Sequence, residues 1–292
     1  MKLHTGTYAL LVVCSLISCV EQSESEEQLE REKNAIDQHL TASGIADKQF
    51  VIYDNSGIRI VINSFGLSSP PPHEGQTVIA SYVGKIFPEG TVFDSVGLYQ
   101  KIEDITPWGL RYGISGLLKG TSATFYVPSR HGFGSATTGI IPANSTLQYD
   151  IVIHNIKRTS AEEQQYIKDS LAIQEYIAKH SIATTDHISG IRYSLEGQRL
   201  GIRPVVYEMV SFNYTMRKLS SPNTVEREGS VTSRTVFSQI DGLKLALPLL
   251  VEGNKADFYI PSVFTYGGDS YDFETPNANL IVTLELTRVF KQ

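Results

Sequence analysis

Tyr126-Val127-Pro128-Ser129, followed by Gly132-Phe133-Gly134, has a second version at Tyr259-Ile260-Pro261-Ser262, followed by Thr265-Tyr266-Gly267, and Phe133 and Tyr266 stand 133 positions apart. Further out, Gly57-Ile58-Arg59 and Gly190-Ile191-Arg192 keep the same offset of 133. Between these landmarks Ala80-Ser81-Tyr82-Val83-Gly84 is answered by Ser211-Phe212-Asn213-Tyr214-Thr215. Beyond them Gly139-Ile140-Ile141-Pro142-Ala143-Asn144-Ser145-Thr146-Leu147 is answered by Thr275-Pro276-Asn277-Ala278-Asn279-Leu280. A spacing held over such a distance predicts a duplicated domain.

The stretches between the landmarks read as strands. Ile58–Ile62, Thr77–Val83, Ala123–Val127 and Leu147–Ile153 are rich in β-branched and aromatic residues with partial period-two alternation, which predicts a half-buried antiparallel sheet. Ser115 to Gly120 predicts a short internal helix stopped by its glycine, and Asp241 to Leu250 is its counterpart, with Pro248 limiting continuation. Residues 26–43 space Leu29, Ala35-Ile36 and Leu40 for one helical face. A second helix over 160–180 pairs Ser160 with Glu163 as a capping box and sets Tyr166-Ile167, Ala172-Ile173 and Tyr176-Ile177 on one face. Pro70-Pro71-Pro72 and Ser220-Ser221-Pro222-Asn223 read as loops inside the copies. The fold class predicted is α+β: two domains, each an antiparallel sheet wrapped around a short helix and each preceded by an amphipathic helix. The divisions are 1–19 a signal, 20–56 an acidic tether and helix, 57–157 the first domain, 158–189 a linker helix and 190–292 the second domain.

Lys2 and the apolar run Tyr8–Ile17 read as a targeting segment too short to span a bilayer. Leu16-Ile17-Ser18-Cys19 resembles a bacterial lipobox, which makes Cys19 the expected lipidation site; the alternative is a plain secretory signal. Both cysteines of the chain lie in this segment, so the mature chain is expected to carry no disulfide and to reach the membrane through a lipid anchor. Val20-Glu21-Gln22-Ser23-Glu24-Ser25-Glu26-Glu27 reads as a solvated tether, and equally resembles an acidic surface-export signal of some lipoproteins. The expected place is the bacterial cell envelope, at the outer membrane, on either face. A net charge of -6 without a basic block argues against a nucleic-acid partner. The seven histidines are scattered, so neither a metal nor another cofactor is expected. Gly-x-Ser-x-Gly, a phosphate-binding glycine loop and His-Glu-x-x-His do not occur.

What the first copy offers is a set of aromatic residues around one carboxylate: Tyr82, Phe93, Asp94, Phe133 and Tyr149. Tyr82-Val83-Gly84, Val92-Phe93-Asp94-Ser95, Ile114-Ser115-Gly116-Leu117 through Gly120, Pro128 through Gly134 and Gly139 through Leu147 resemble, in order, the FKBP family of peptidyl-prolyl cis-trans isomerases. The resemblance runs through 57–157 and is weaker over 190–290. It implies an FKBP-like fold for both copies and isomerisation of X-Pro bonds in proline-containing polypeptide clients, helping envelope proteins fold. It also implies a prolyl pocket lined by Tyr82, Phe93, Ile114, Leu117, Phe133 and Tyr149. Asp94 would lie near the substrate carbonyl, and the Ile114 N–H would bind the carbonyl after proline. Two departures stand out: Leu117 at the floor, where the family has Trp, and Phe133 where it has a tyrosine hydroxyl.

In the second copy Tyr214, Ile240, Leu243 and Tyr266 would form a second binding pocket, but no Phe-Asp pair occurs between Thr215 and Phe237, and Val282 replaces the late aromatic. That pocket is expected to hold extended apolar peptide without catalysing. The other reading of the whole chain is a non-catalytic peptide-binding or scaffold lipoprotein of an outer-membrane assembly, with an envelope protein complex as its partner.

Overall fold

The structure is a computed structural model that describes residues 7–48, 50–66, 68–197, 200–266 and 276–291, with side chains from Glu24 onward, Lys48 excepted. The Cys19 side chain and the start of the signal therefore lie outside the described part. The backbone opens with α1 (Thr7–Ala42), a helix of 36 residues that includes the acidic stretch expected as a tether. Glu and Gln are good helix formers, and the run holds no glycine or proline to stop it. Among the described residues no helix is long and apolar enough to cross a membrane.

After α2 (Ile45–Lys48) come β1 (Phe50–Tyr53), β2 (Arg59–Ser64), β3 (Thr77–Phe87), β4 (Thr91–Lys101), α3 (Trp108–Ser115), β5 (Ser122–Val127) and β6 (Thr146–Lys157). Their order in the sheet is β1-β2-β5-β6-β3-β4. The second repeat follows with α4 (Ser160–Lys179), β7 (Thr185–Asp186), β8 (Arg192–Glu196), β9 (Met209–Lys218), β10 (Val225–Thr235), α5 (Asp241–Ala246), β11 (Lys255–Ile260) and β12 (Leu280–Phe290). Its sheet, β7-β8-β11-β12-β9-β10, repeats the first order strand for strand. The chain divides into two compact units, the first holding most of the first repeat and the second holding the second repeat together with Phe65–Ile79, Leu117–Thr121 and the end of β6.

Each long helix belongs to its own sheet. Ile36 and Leu40 of α1 are fully buried against Val61, Phe87 and Tyr126, and Ile173 and Ile177 of α4 pack on Leu219, Tyr259 and Ile281. Burying such a side chain contributes roughly 1.5–3 kcal/mol, so these helices are covers of the sheets, not spacers. The landmark Gly-Ile-Arg serves this packing. Gly57 and Gly190 have φ of +92° and +93°, and a Cβ would lie 2.8 Å from Lys33 Cγ on α1 and 1.8 Å from the Tyr166 hydroxyl on α4, respectively. Arg59, 5% exposed, gives a two-pronged bond to Asp37 of α1 at 2.7 and 2.9 Å.

A carboxylate on each helix also caps the turn after β5 or β11. The Ser129 N–H and hydroxyl donate to Glu32 at 2.5 and 2.6 Å, and the Ser262 hydroxyl donates to Asp169 at 2.7 Å. Two details differ from the sequence reading. The capping box at the start of α4 is Thr159 with Glu162, one position earlier than Ser160 with Glu163. The internal helix of the first repeat, α3, begins at Trp108 and ends where it was expected to begin, because Gly109 and Gly113 let it press on the sheet: a Cβ there would lie 2.3 Å from Val127 and 2.6 Å from Phe125.

Candidate active site

Between α3 and the strands of the first repeat lies a cavity of about 830 Å³. β3 supplies Tyr82, β4 supplies Phe93, Asp94 and Val96–Gln100, β6 supplies Tyr149, and the loop after β5 supplies Phe133 and Thr138–Ile141. Pro107 and Leu110, at the start of α3, close it from below. Strand alternation places Tyr82 and Tyr149 on the same side of the sheet, where Tyr149 meets Tyr82 and Phe93 edge to face at centroid distances of 5.7 and 5.8 Å. Gly84 makes room for this wall, since a Cβ there would fall 2.5 Å from the Phe93 ring.

The Tyr82 hydroxyl donates to Asp94 Oδ2 at 2.6 Å. Burial first, then that bond and the Asp94 charge, push the Tyr82 phenol well above its ordinary pKa, so it remains a donor. Tyr149, 1% exposed, is pushed up further by burial and by Tyr82 and Asp94, and its hydroxyl has no hydrogen-bond partner. The site thus holds a fixed carboxylate within an aromatic enclosure.

Of the residues expected here, Tyr82, Phe93, Asp94, Phe133 and Tyr149 come together, whereas Ile114 and Leu117 do not line the cavity. Both are fully buried in the core. Ile114 lies within α3, whose later N–H groups are used by helix bonds, so it has no amide to offer a ligand. The floor is Leu110, and the residue at the helix entrance is Pro107, which has no N–H at all. Trp108 does not line the cavity; it is 42% exposed, stacks on Tyr112 at 4.9 Å and contacts His131 at 4.8 Å. Tyr112 is pushed up to about 12 by burial and by its 2.7 Å bond to Asp54.

Residues 69–154 match the family of FKBP-type peptidyl-prolyl cis-trans isomerases. That span contains the whole cavity lining. It is an FKBP-type domain. Among curated proteins, the FKBP-type peptidyl-prolyl cis-trans isomerase FkpA of Aeromonas hydrophila is 25% identical over 151 residues, 49% of this chain and 55% of that protein. The probable FkpA of Neisseria meningitidis is 28% identical over 128 residues, 42% of this chain and 45% of that one. The isomerase FKBP15-3 of Arabidopsis thaliana is 32% identical over 88 residues, 28% of this chain and 62% of that one. The chain therefore spans about half the length of the curated relatives it matches.

The FKBP-type domain has its counterpart in the second repeat, residue by residue. Ile240 is the N-cap of α5, as Pro107 is of α3, and Leu243 follows Asp241-Gly242 as Leu110 follows Trp108-Gly109. Gly242 meets Ile260 as Gly109 meets Val127. The offset of 133, applied to Ile240 and Leu243, leads to Pro107 and Leu110; this was the signal available for the two positions that sequence reading missed. Tyr214 lies opposite Gly229 in the ladder, Leu243 is 3% exposed, and the Tyr266 hydroxyl accepts from Arg227 at 3.5 Å. Glu226 of β10 pairs with Lys218 at 3.3 Å, and Val282 is fully buried in place of Tyr149.

Proposed function

We propose that the first repeat catalyses cis-trans isomerisation of X-Pro bonds in polypeptides of the bacterial cell envelope. In this reading the second repeat holds extended substrate, and Cys19 carries the lipid that keeps the chain at the outer membrane. The observation that carries the proposal is the Tyr82–Asp94 bond inside the aromatic cavity of a domain of this family.

An X-Pro bond turns through a twisted amide, over a barrier of about 18–20 kcal/mol for peptide bonds in general, and unassisted it takes tens of seconds. The twisted amide has lost its conjugation and is less polar than the planar one. The aromatic wall of Phe93, Phe133 and Tyr149 over Leu110 would disfavour the planar form relative to the twisted form, and no nucleophile or cofactor takes part. Tyr82 holds Asp94 in one orientation, where its charge would act on the carbonyl carbon of the turning bond.

A second reading, a peptide-binding lipoprotein of an envelope complex, draws on Pro107 and Phe133, which remove two donors from the entrance. A protease-coupled assay of the full chain on a short X-Pro peptide separates the readings. Acceleration by the wild type that falls in Asp94→Ala is the expected result; a folded wild-type chain that gives none overturns catalysis. Incorporation of labelled fatty acid, lost in Cys19→Ala, tests the anchor.

A further inference from the structure

β4 is the last strand of its sheet, with β3 on one side and, among the described residues, no strand on the other. Such edges are ordinarily guarded by charge, proline or bulges, since unpaired main-chain groups recruit other strands. The edge of β10, its counterpart, is guarded in this way. It carries Glu226, Arg227, Glu228 and Arg234, and its pairing with β9 shifts register between Val225 and Arg227 and again between Val231 and Arg234. In β4 the charges stand at either side, Asp94 and Lys101, and the run between them, Ser95-Val96-Gly97-Leu98-Tyr99-Gln100, has none, with Val96 and Tyr99 42% and 63% exposed.

This bare run is also where the strand meets the cavity, which Val96 through Gln100 line without a break. In its middle stands Gly97. Glycine weakens a strand, and one common reason for it there is the close approach of another backbone. A Cβ at Gly97 would meet no atom of the described residues within 4 Å, so no close contact among them demands glycine.

We infer that the outer edge of β4 over Ser95–Gln100 takes the main chain of the substrate as an added strand. The ligand is then an extended polypeptide segment that runs along the edge and places its proline in the cavity. Main-chain pairing would recognise it irrespective of sequence, with side-chain preference confined to alternate positions. This inference rests on the isomerase reading for what happens to the proline, though not for the pairing itself.

The test uses the full chain with a proline tetrapeptide, a dye-labelled octapeptide containing the same X-Pro bond, and octapeptides N-methylated at one amide each. Both turnover and fluorescence anisotropy are read. Pairing predicts that the octapeptide binds more tightly than the tetrapeptide. Methylation at every second flanking amide should cost about fivefold in affinity, with the intervening amides indifferent, as strand pairing alternates. Gly97→Val, which suits a strand, should weaken octapeptide binding by a similar factor or more. Equal binding of both peptides, or methylation losses without alternation, overturns the inference. Alternation without any turnover leaves it standing and overturns the isomerase reading; turnover without alternation does the reverse. A concentration-dependent dimer in sedimentation, abolished by Gly97→Val while peptide binding is unchanged, assigns the edge to a second copy of the chain and overturns it as well.

Discussion

In the first repeat a tyrosine hydroxyl donates a hydrogen bond to a carboxylate inside an aromatic enclosure, while in the second the corresponding Tyr214 faces Gly229 and Glu226 is tied to Lys218. Around those sites the scaffold is shared: left-handed Gly57 and Gly190 at the helix, Gly109 and Gly242 against the sheet, Ser129 and Ser262 held by helix carboxylates. The fold and the chemistry are thus written in different residues. The second repeat lacks the Phe-Asp pair and the late aromatic and carries charges on its edge strand, while what holds the sheet is the same in both.

The largest effect that probes this equality of scaffolds comes from Ile36→Ala and Ile173→Ala, which empty equivalent buried sites under α1 and α4. Each should cost about 2–5 kcal/mol in denaturant unfolding of the transition that reports its repeat. A helix whose mutation moved nothing would be a spacer, and the two repeats would not be built alike. Next comes Asp94→Ala, expected to lower kcat/KM about 10–100-fold with circular dichroism preserved, since a bond to a charged group is lost. Arg227→Ala in the second repeat should leave turnover unaltered, and a comparable loss there would place catalysis in both repeats.

Smaller is the effect of Pro107→Ile, which gives the first repeat the N-cap residue type of the second. Restoring an amide donor at the cavity entrance should raise kcat/KM about 2–10-fold. No gain would mean that ligand does not reach the start of α3. The smallest is Tyr149→Phe. It deletes a buried hydroxyl with no partner, and should stabilise the chain by about 1 kcal/mol, seen as a higher thermal midpoint. A fall in stability instead would show that the hydroxyl is satisfied.

Most of the architecture was legible because strand alternation and the repeated landmarks are local signals: both sheets, both long helices and the internal helix of the second repeat were expected. The aromatic set with Asp94 was legible for the same reason, since Phe93-Asp94 and Gly132-Phe133-Gly134 sit on strands and tight loops with fixed outlooks. The internal helix of the first repeat was not. Ser115 to Gly120 carries a good stop signal, but helix α3 is placed by two glycines that permit close approach to Val127 and Phe125, a tertiary reason with no local mark. That slip of seven positions moved the floor from Leu110 to Leu117 and the entrance from Pro107 to Ile114. The role of α1 and α4 was hidden similarly, because a narrow apolar stripe does not say which surface will cover it.

The clasp between Glu32 and Ser129, with its echo between Asp169 and Ser262, bears on how such a chain can be cut and inherited. A fragment begun at residue 44 or 57 would bare Val61, Phe87 and Tyr126 to water and leave the Ser129 amide unanswered at the root of the loop that carries Phe133. In chain order each repeat is a cassette of helix plus sheet, and one passes to the next in the few residues between Lys157 and Ser160. An ancestor that duplicated the sheet without its helix would have made a sticky half-protein; whatever was copied here brought its own cover with it.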